Sequence, residues 1–313
     1  MASRHVAVDI LTGFLGSGKT TLLKHVLEHG LKDKPVALVV NEIGDVGIDG
    51  KVVTGLNYVE KMVELSSGCI CCSIDEYRFD LAIQEIVETV APHLIIIEST
   101  GLADPEPLAY RVKGAGLHLD AIITVVDAEN VERFVGETEV AGAQIAAADF
   151  LVVNKTDLVT PPDVARVRKH LTRMNPRALQ LETVRGAIDA DVLFATDVAV
   201  HRDRARDPRT ASQHLAHDAF GSFVYRSEVA LDQRAFEEVL ATLPPDVIRA
   251  KGIVRLVDRD WHCLFNVTCG RTEWGWLKLS DGGRSENQAV FIGRHLDRHR
   301  AAILAALAGC ERA

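Results

Sequence analysis

Two short stretches of this chain carry residue types at spacings that chemistry uses. Gly13-Phe14-Leu15-Gly16-Ser17-Gly18-Lys19-Thr20 has the form G-x-x-x-x-G-K-[ST], with an apolar run before it and helical spacing after it. Glycines at positions 13, 16 and 18 let the backbone wrap an anion, so that successive N–H groups and the start of the next helix face phosphate oxygens. Lys19 would reach the β- and γ-phosphates and the Thr20 hydroxyl would help to hold Mg²⁺, with Ser17 and Thr21 completing the nucleotide-binding loop. The second stretch, SSGCICCSI at residues 66–74, holds Cys69, Cys71 and Cys72, half of the six cysteines in the chain. Thiolates are soft ligands for Zn²⁺, Co²⁺ or Cu⁺, and tetrahedral coordination needs four donors. Three thiols leave that shell incomplete, which suits a site that hands its metal on better than a structural one.

Two further motifs say which nucleotide and what senses it. Asn154-Lys155-Thr156-Asp157 ends an apolar run and resembles the N-K-x-D motif of GTPases. The Asp157 carboxylate can accept hydrogen bonds from the guanine N1–H and amino group, a donor pair that adenine lacks. Asn154 would brace the loop and Lys155 would lie along the base. LIIIESTG, residues 94–101, resembles a Walker-B strand with its Asp-x-x-Gly switch, glutamate standing for aspartate. Glu98 would meet Mg²⁺ through water, and the Gly101 N–H would sense the γ-phosphate. Leu102 follows where a Ras-type enzyme has its water-positioning glutamine, so intrinsic hydrolysis is expected to be slow.

The elements that must position these residues follow from the pattern. Continuous apolar runs at 6–13, 35–42, 93–100, 120–128 and 149–155 read as parallel strands covered on both faces. Helical spacing at 20–29, 75–90, 139–148 and 162–174 alternates with them. The expected fold is α/β: a P-loop NTPase domain with a doubly wound, mostly parallel sheet over residues 1–198. Residues 199–222 are polar and charged and read as a linker, and 223–313 as a smaller α+β domain.

Composition narrows the function classes. With 313 residues, 47% hydrophobic and 25% charged, the chain has the make-up of a soluble globular protein. A net charge of -9 argues against a nucleic-acid or anionic-membrane partner. No apolar run approaches the roughly 18 residues of a membrane span, and the first one lacks the features of an export signal. A cytoplasmic, reducing location is therefore expected, where clustered cysteines bind metal or do redox work. The bland readings concern His25 as a packing or capping residue and Trp261, Trp274 and Trp276 as fillers of the second core.

Taken in order, the P-loop, NEIGDVGID at 41–49, GCICC, ESTGLADP and NKTD resemble the CobW-like GTPases, relatives of the nickel-insertion GTPases of urease and hydrogenase. RAKGIVRL and AVFIG resemble that family's carboxy-terminal domain, so the likeness covers most of the chain. It implies a metallochaperone that hydrolyses GTP and binds zinc or cobalt through C-x-C-C, with affinity tied to nucleotide state. Lys19, Glu98 and Glu42 form the expected catalytic set. A client metalloprotein or cofactor-synthesis enzyme and a homodimer are the expected partners. The rival readings are a P-loop ATPase or kinase with packed cysteines and a non-catalytic metal buffer or activator. Two departures matter: some members, including the YjiA-like branch, carry a carboxylate metal ligand just before N-E-x-G, where Val40 stands here, and Ser66-Ser67 precede the cluster where the family commonly has an asparagine before the glycine. Glu42, Asp45, a second subunit or the client would have to complete the shell. Between the domains only His201, His214 and His217 stand where relatives often carry a histidine-rich loop.

Overall fold

The structure is a computed structural model that describes residues 6–31, 35–40, 59–64, 76–90, 92–194, 220–257, 259–277 and 286–312. The chain divides into two compact units, one spanning Val6–Thr196 and the other beginning at Asp197.

The first unit is built on β1 (Ala7–Thr12), β2 (Val36–Val40), β3 (Val59–Glu64), β4 (Leu94–Glu98), β5 (His118–Asp127), β6 (Phe150–Asn154) and β7 (Leu179–Glu182). These form one sheet in the order β3-β2-β4-β1-β5-β6-β7, every pair parallel. Between the strands run α1 (Lys19–His29), α2 (Glu76–Thr89), α3 (Pro105–Gly114), α4 (Val131–Glu137), α5 (Glu139–Ala147), α6 (Pro161–Met174) and the short α7 (Ala190–Leu193). In β4, Ile95 and Ile97 join a core with Phe79, Ile83 and Ile86 of α2 and Leu108 and Val112 of α3. Leu94, Ile96 and Glu98 point to the other face and are equally buried. Burial on both faces explains why the strand reads as an unbroken apolar run. Helix α1 buries Leu22, Leu23, Val26 and Leu27, each contributing roughly 1.5–3 kcal/mol of transfer free energy.

Helix starts follow local chemistry. Asp104 caps α3 by accepting from the Glu106 N–H, and Pro105 sits where its missing donor costs nothing. Thr160 and Asp163 form a capping box at α6, with Pro161 as the first helical residue. The Thr160 hydroxyl, and then Arg166, hold the Asp163 carboxyl below its ordinary value.

The second unit contains β8 (Phe220–Ser227), α8 (Gln233–Ala241), β9 (Val247–Arg255), β10 (His262–Thr268), β11 (Arg271–Leu277), β12 (Asn287–Arg294) and α9 (Asp297–Gly309). Its antiparallel sheet has the order β11-β10-β9-β12-β8. Phe236 and Leu240 of α8 and Ile303 and Leu307 of α9 join its core. Strand β8 begins at Phe220, so the last three residues of the expected linker are sheet. The tryptophans do not fill this core. Trp261, Trp274 and Trp276 are 47%, 39% and 41% exposed: Trp274 and Trp276 lie on the edge strand β11, and Trp261 lies just before β10. Trp274 meets the buried Phe236 edge-on, and Arg259 lies over Trp276. Cys263 and Cys310 are buried in this core, and burial pushes the Cys263 thiol up to about 12. They are packing residues.

Candidate nucleotide site

The site is assembled where parallel strands end, the edge at which open α/β sheets hold ligands. β1 ends at Thr12 and the loop of residues 13–18 turns into α1. Gly13, Gly16 and Gly18 all have positive φ (137°, 74° and 104°). At Gly13 a Cβ would lie 2.2 Å from the Val125 carbonyl oxygen, so the close approach of loop to β5 excludes any side chain. Helix α1 starts with no side-chain cap on its N–H groups and no acidic residue in its first turn. The helix's positive end therefore faces the loop uncompensated, and the Ser17 hydroxyl is buried without a hydrogen-bond partner. Both features fit an anion carrying several acceptor oxygens. Lys19 Nζ donates to the Gly13 carbonyl at 2.9 Å, closing the loop on itself. Thr20 is half-buried at the start of α1, and Thr21 beside it is exposed.

Glu98 ends β4, 4% exposed, in register with Leu11 on one side and Val40 on the other. Carboxylate and hydroxyl donors such as Glu98 and Thr20 are the hard oxygen set that suits Mg²⁺. Val40 is buried beside Glu98, so the strand position next to this carboxylate is aliphatic. The turn that follows is strapped to the core. The Ser99 hydroxyl donates to Thr12 Oγ1 at 2.8 Å, and the Ser99 N–H to the Leu11 carbonyl at 2.9 Å. Gly101 packs against the phosphate loop, where a Cβ would lie 2.7 Å from the Leu15 nitrogen. Leu102, which follows Gly101, is 52% exposed.

At the loop after β6, one amide joins three segments. Asn154, 2% exposed at the end of β6, donates from Nδ2 to the Ser17 carbonyl at 2.9 Å. Its Oδ1 accepts the Gly186 N–H at 3.1 Å. A Cβ on Gly18 would lie 2.3 Å from Asn154 Nδ2, so this glycine also leaves the amide its path. Lys155 adopts the left-handed conformation (φ 61°), and its ammonium pairs with Asp127 Oδ2 at 2.8 Å. Asp127 ends β5 directly opposite Asn154 and also accepts from the Glu129 N–H and the Asn130 amide. Asp157 lies in the 3-10 turn Thr156–Leu158, exposed, with no hydrogen bond or ion pair among the described residues. Thr156 fixes that turn by donating twice to the Thr183 carbonyl.

Several positioning residues were missed by the sequence reading. Asp127, Thr183 and Gly186 hold the loop after β6, and Gln144 holds the turn after β4. Gln144, 1% exposed on α5, donates to the carbonyls of Gly101 and Ala103 at 3.2 and 3.0 Å, while its own carbonyl accepts from Thr124. It is the one polar side chain inside the otherwise small, apolar VAGAQIAAA, and that contrast is the signal that marks it. Cys69, Cys71, Cys72, Glu42, Asp45, His201, His214 and His217 lie outside the described residues. Among the described ones, no group of three or more His, Cys, Asp or Glu is placed to hold a metal, and no helix is long and apolar enough to cross a membrane.

Comparison with known proteins gives this geometry a family. The model of the CobW/HypB/UreG nucleotide-binding domain matches residues 7–182, and that of the cobalamin synthesis protein CobW C-terminal domain matches 220–311. A zinc chaperone CobW from Sinorhizobium sp is 29% identical, with 96% of each chain covered. The zinc chaperone YjiA of Escherichia coli K12 is 28% identical, covering 98% of this chain and 99% of that one. A crystal structure of Zn(II)-bound YjiA GTPase aligns over 99% of this chain and 100% of that one, at 24% identity and a TM-score of 0.47. The chain belongs to the CobW/HypB/UreG family and is a CobW-like P-loop GTPase.

Proposed function

We propose that this protein is a GTPase metallochaperone that couples its nucleotide state to the holding and release of a divalent transition metal, zinc or cobalt. One observation carries the nucleotide half: the Asn154 amide links the phosphate loop to the loop that bears Asp157. Base and phosphates are thereby read by one frame, and the exposed Asp157 carboxylate is available to the guanine donor pair. Lys19 would leave the Gly13 carbonyl for the β- and γ-phosphate oxygens, which are stronger acceptors. Thr20 and Glu98 would hold Mg²⁺, Glu98 through water, and the ion would neutralise charge on the transferring phosphoryl group. The Gly101 N–H would sense the γ-phosphate, with Glu42 completing the catalytic set. Hydrolysis without a trigger would be slow, since an aliphatic Leu102 cannot orient water.

The metal half rests on the C-x-C-C spacing of Cys69, Cys71 and Cys72 and is supported by the zinc-chaperone descriptions of full-length relatives. In this reading GTP and Mg²⁺ order residues 41–49 and 66–74 together and assemble the thiolate site, and hydrolysis relaxes both. The metal then passes to a client metalloprotein or cofactor-synthesis enzyme in the cytoplasm, with a homodimer as a possible source of further ligands.

Nucleotide competition and metal binding test the proposal together. GTP should displace a fluorescent guanine nucleotide at concentrations where ATP does not. The Cys71→Ser, Cys72→Ser chain should keep nucleotide and lose Zn²⁺. Stronger competition by ATP, or unchanged Zn²⁺ affinity in the double-serine chain, would overturn the corresponding half.

A further inference from the structure

Strand β11 forms one edge of the antiparallel sheet in the second unit, and the turn before it decides which of its backbone groups face outward. Cys269 and Gly270 both have positive φ, 48° and 81°, the pair of left-handed residues that a type I′ turn requires. Such a two-residue loop is closed by a hydrogen-bonded pair, here Thr268 and Arg271. Bonded pairs alternate along a hairpin, so Arg271, Glu273, Gly275 and Leu277 turn their backbone groups to β10. Those of Thr272, Trp274 and Trp276 point away from the sheet. Among the described residues, Thr272 and Trp274 spend none of these outward groups on a hydrogen bond. Two free donor–acceptor sets thus stand about 6.8 Å apart, the two-residue repeat of an antiparallel strand. Natural edges are blunted by lysine, proline, a bulge or a short strand. β11, RTEWGWL, has seven residues, no lysine or proline and no register shift against β10. On its core-side face Trp274 and Trp276 oppose the buried Phe265 and Cys263 yet remain 39% and 41% exposed, apolar rings that a further strand would cover.

We propose that β11 pairs with β11 of a second copy of this chain, antiparallel about a two-fold axis at Trp274, joining two five-stranded sheets into one. The strand is self-complementary in that register. Trp274 faces its counterpart, Thr272 faces Trp276, Glu273 faces Gly275 and Arg271 faces Leu277, so all seven residues pair and no like charges meet. The outward backbone groups fall opposite one another, as a bonded ladder needs. An axis at Glu273 would set two carboxylates face to face, and any shift from Trp274 shortens the ladder. The indoles then stack as cross-strand aromatic pairs. A two-fold contact uses the same edge of both copies, so association through β11 stops at two. The homodimer named in the proposed function thereby gains a surface in the carboxy-terminal domain that needs neither nucleotide nor metal.

The test is sedimentation equilibrium of the full chain, without nucleotide or metal, beside Thr272→Pro and Trp274→Lys. The parent chain should dimerise. Proline at 272 removes an outward N–H and no bond to β10, and edge strands admit proline at such positions. The dimer loses two hydrogen bonds and should weaken by at least about tenfold. Lysine at 274 brings two ammonium groups together at the axis and should leave a monomer. A circular dichroism spectrum matching the parent's is the control for folding, and should one variant lose it, the other decides. A dimer that a folded variant does not weaken would overturn the proposal and leave the homodimer to some other surface. A parent chain that stays monomeric would overturn both.

Discussion

In the proposed nucleotide site, the half assigned to the phosphates and the half assigned to the base are held by opposite means. The phosphate half is shaped by missing side chains: Gly13, Gly18 and Gly101 each sit where a Cβ would come within 3 Å of a neighbouring atom. The half proposed for the base is held by side chains that are present: Asn154 is bonded to Ser17 and Gly186, Lys155 to Asp127, and Thr156 to Thr183. Where space is the working feature, one added methyl should break the site. Where cross-links are the working feature, removing one should weaken it by the worth of its bonds.

The largest effect is expected at Gly13→Ala. The new Cβ meets the Val125 carbonyl at 2.2 Å and the backbone holds φ 137°, so GTP binding should vanish in a fluorescence titration and stability should fall by roughly 1–3 kcal/mol. Binding within threefold of the parent would show that the close approach is dispensable. Next comes Asp157→Ala, which should weaken GTP on the order of 100-fold or more while leaving ATP unchanged, because only guanine offers the lost donor pair. A parallel loss for both nucleotides would move Asp157 out of base recognition.

Gln144→Leu tests the boundary between the halves. It strips the donor from two carbonyls of the switch turn, Gly101 and Ala103, at about 1–3 kcal/mol. The turnover number should drop by more than GTP affinity does, a split that a loss of general stability would not produce. The smallest effect concerns Cys263, whose buried thiol is pushed from an ordinary 9.0 up to about 12. The unfolded chain loses this proton first as pH rises, so the contribution fades above about pH 9 and is intact below it. Cys263→Ala should flatten the alkaline limb of the stability profile, measured by denaturant unfolding.

What the sequence revealed follows the same division. Spacing motifs mark residues 13–20, 94–101 and 154–157 because each lies within one local turn, and the parallel strands are visible because both their faces are buried. The Asp127–Lys155 pair was not legible, since it depends on the register of β5 against β6, which no local pattern encodes. Strand β7, four residues long, is too short for its apolar period to stand out. Helix α3 is announced by its Asp104-Pro105 start signal rather than by apolar spacing, and the bulk of Trp274 and Trp276 does not reveal that they lie on an edge strand, nor that of Trp261 that it lies just before β10.

The central claim is that nucleotide state sets metal affinity. The direct measurement is Zn²⁺ titration of the full chain saturated with Mg²⁺ and either a non-hydrolysable GTP analogue or GDP. The account predicts tighter Zn²⁺ binding with the analogue, by about 5- to 150-fold, the span of ordinary coupling free energies. Equal Zn²⁺ affinity in the two states would contradict it.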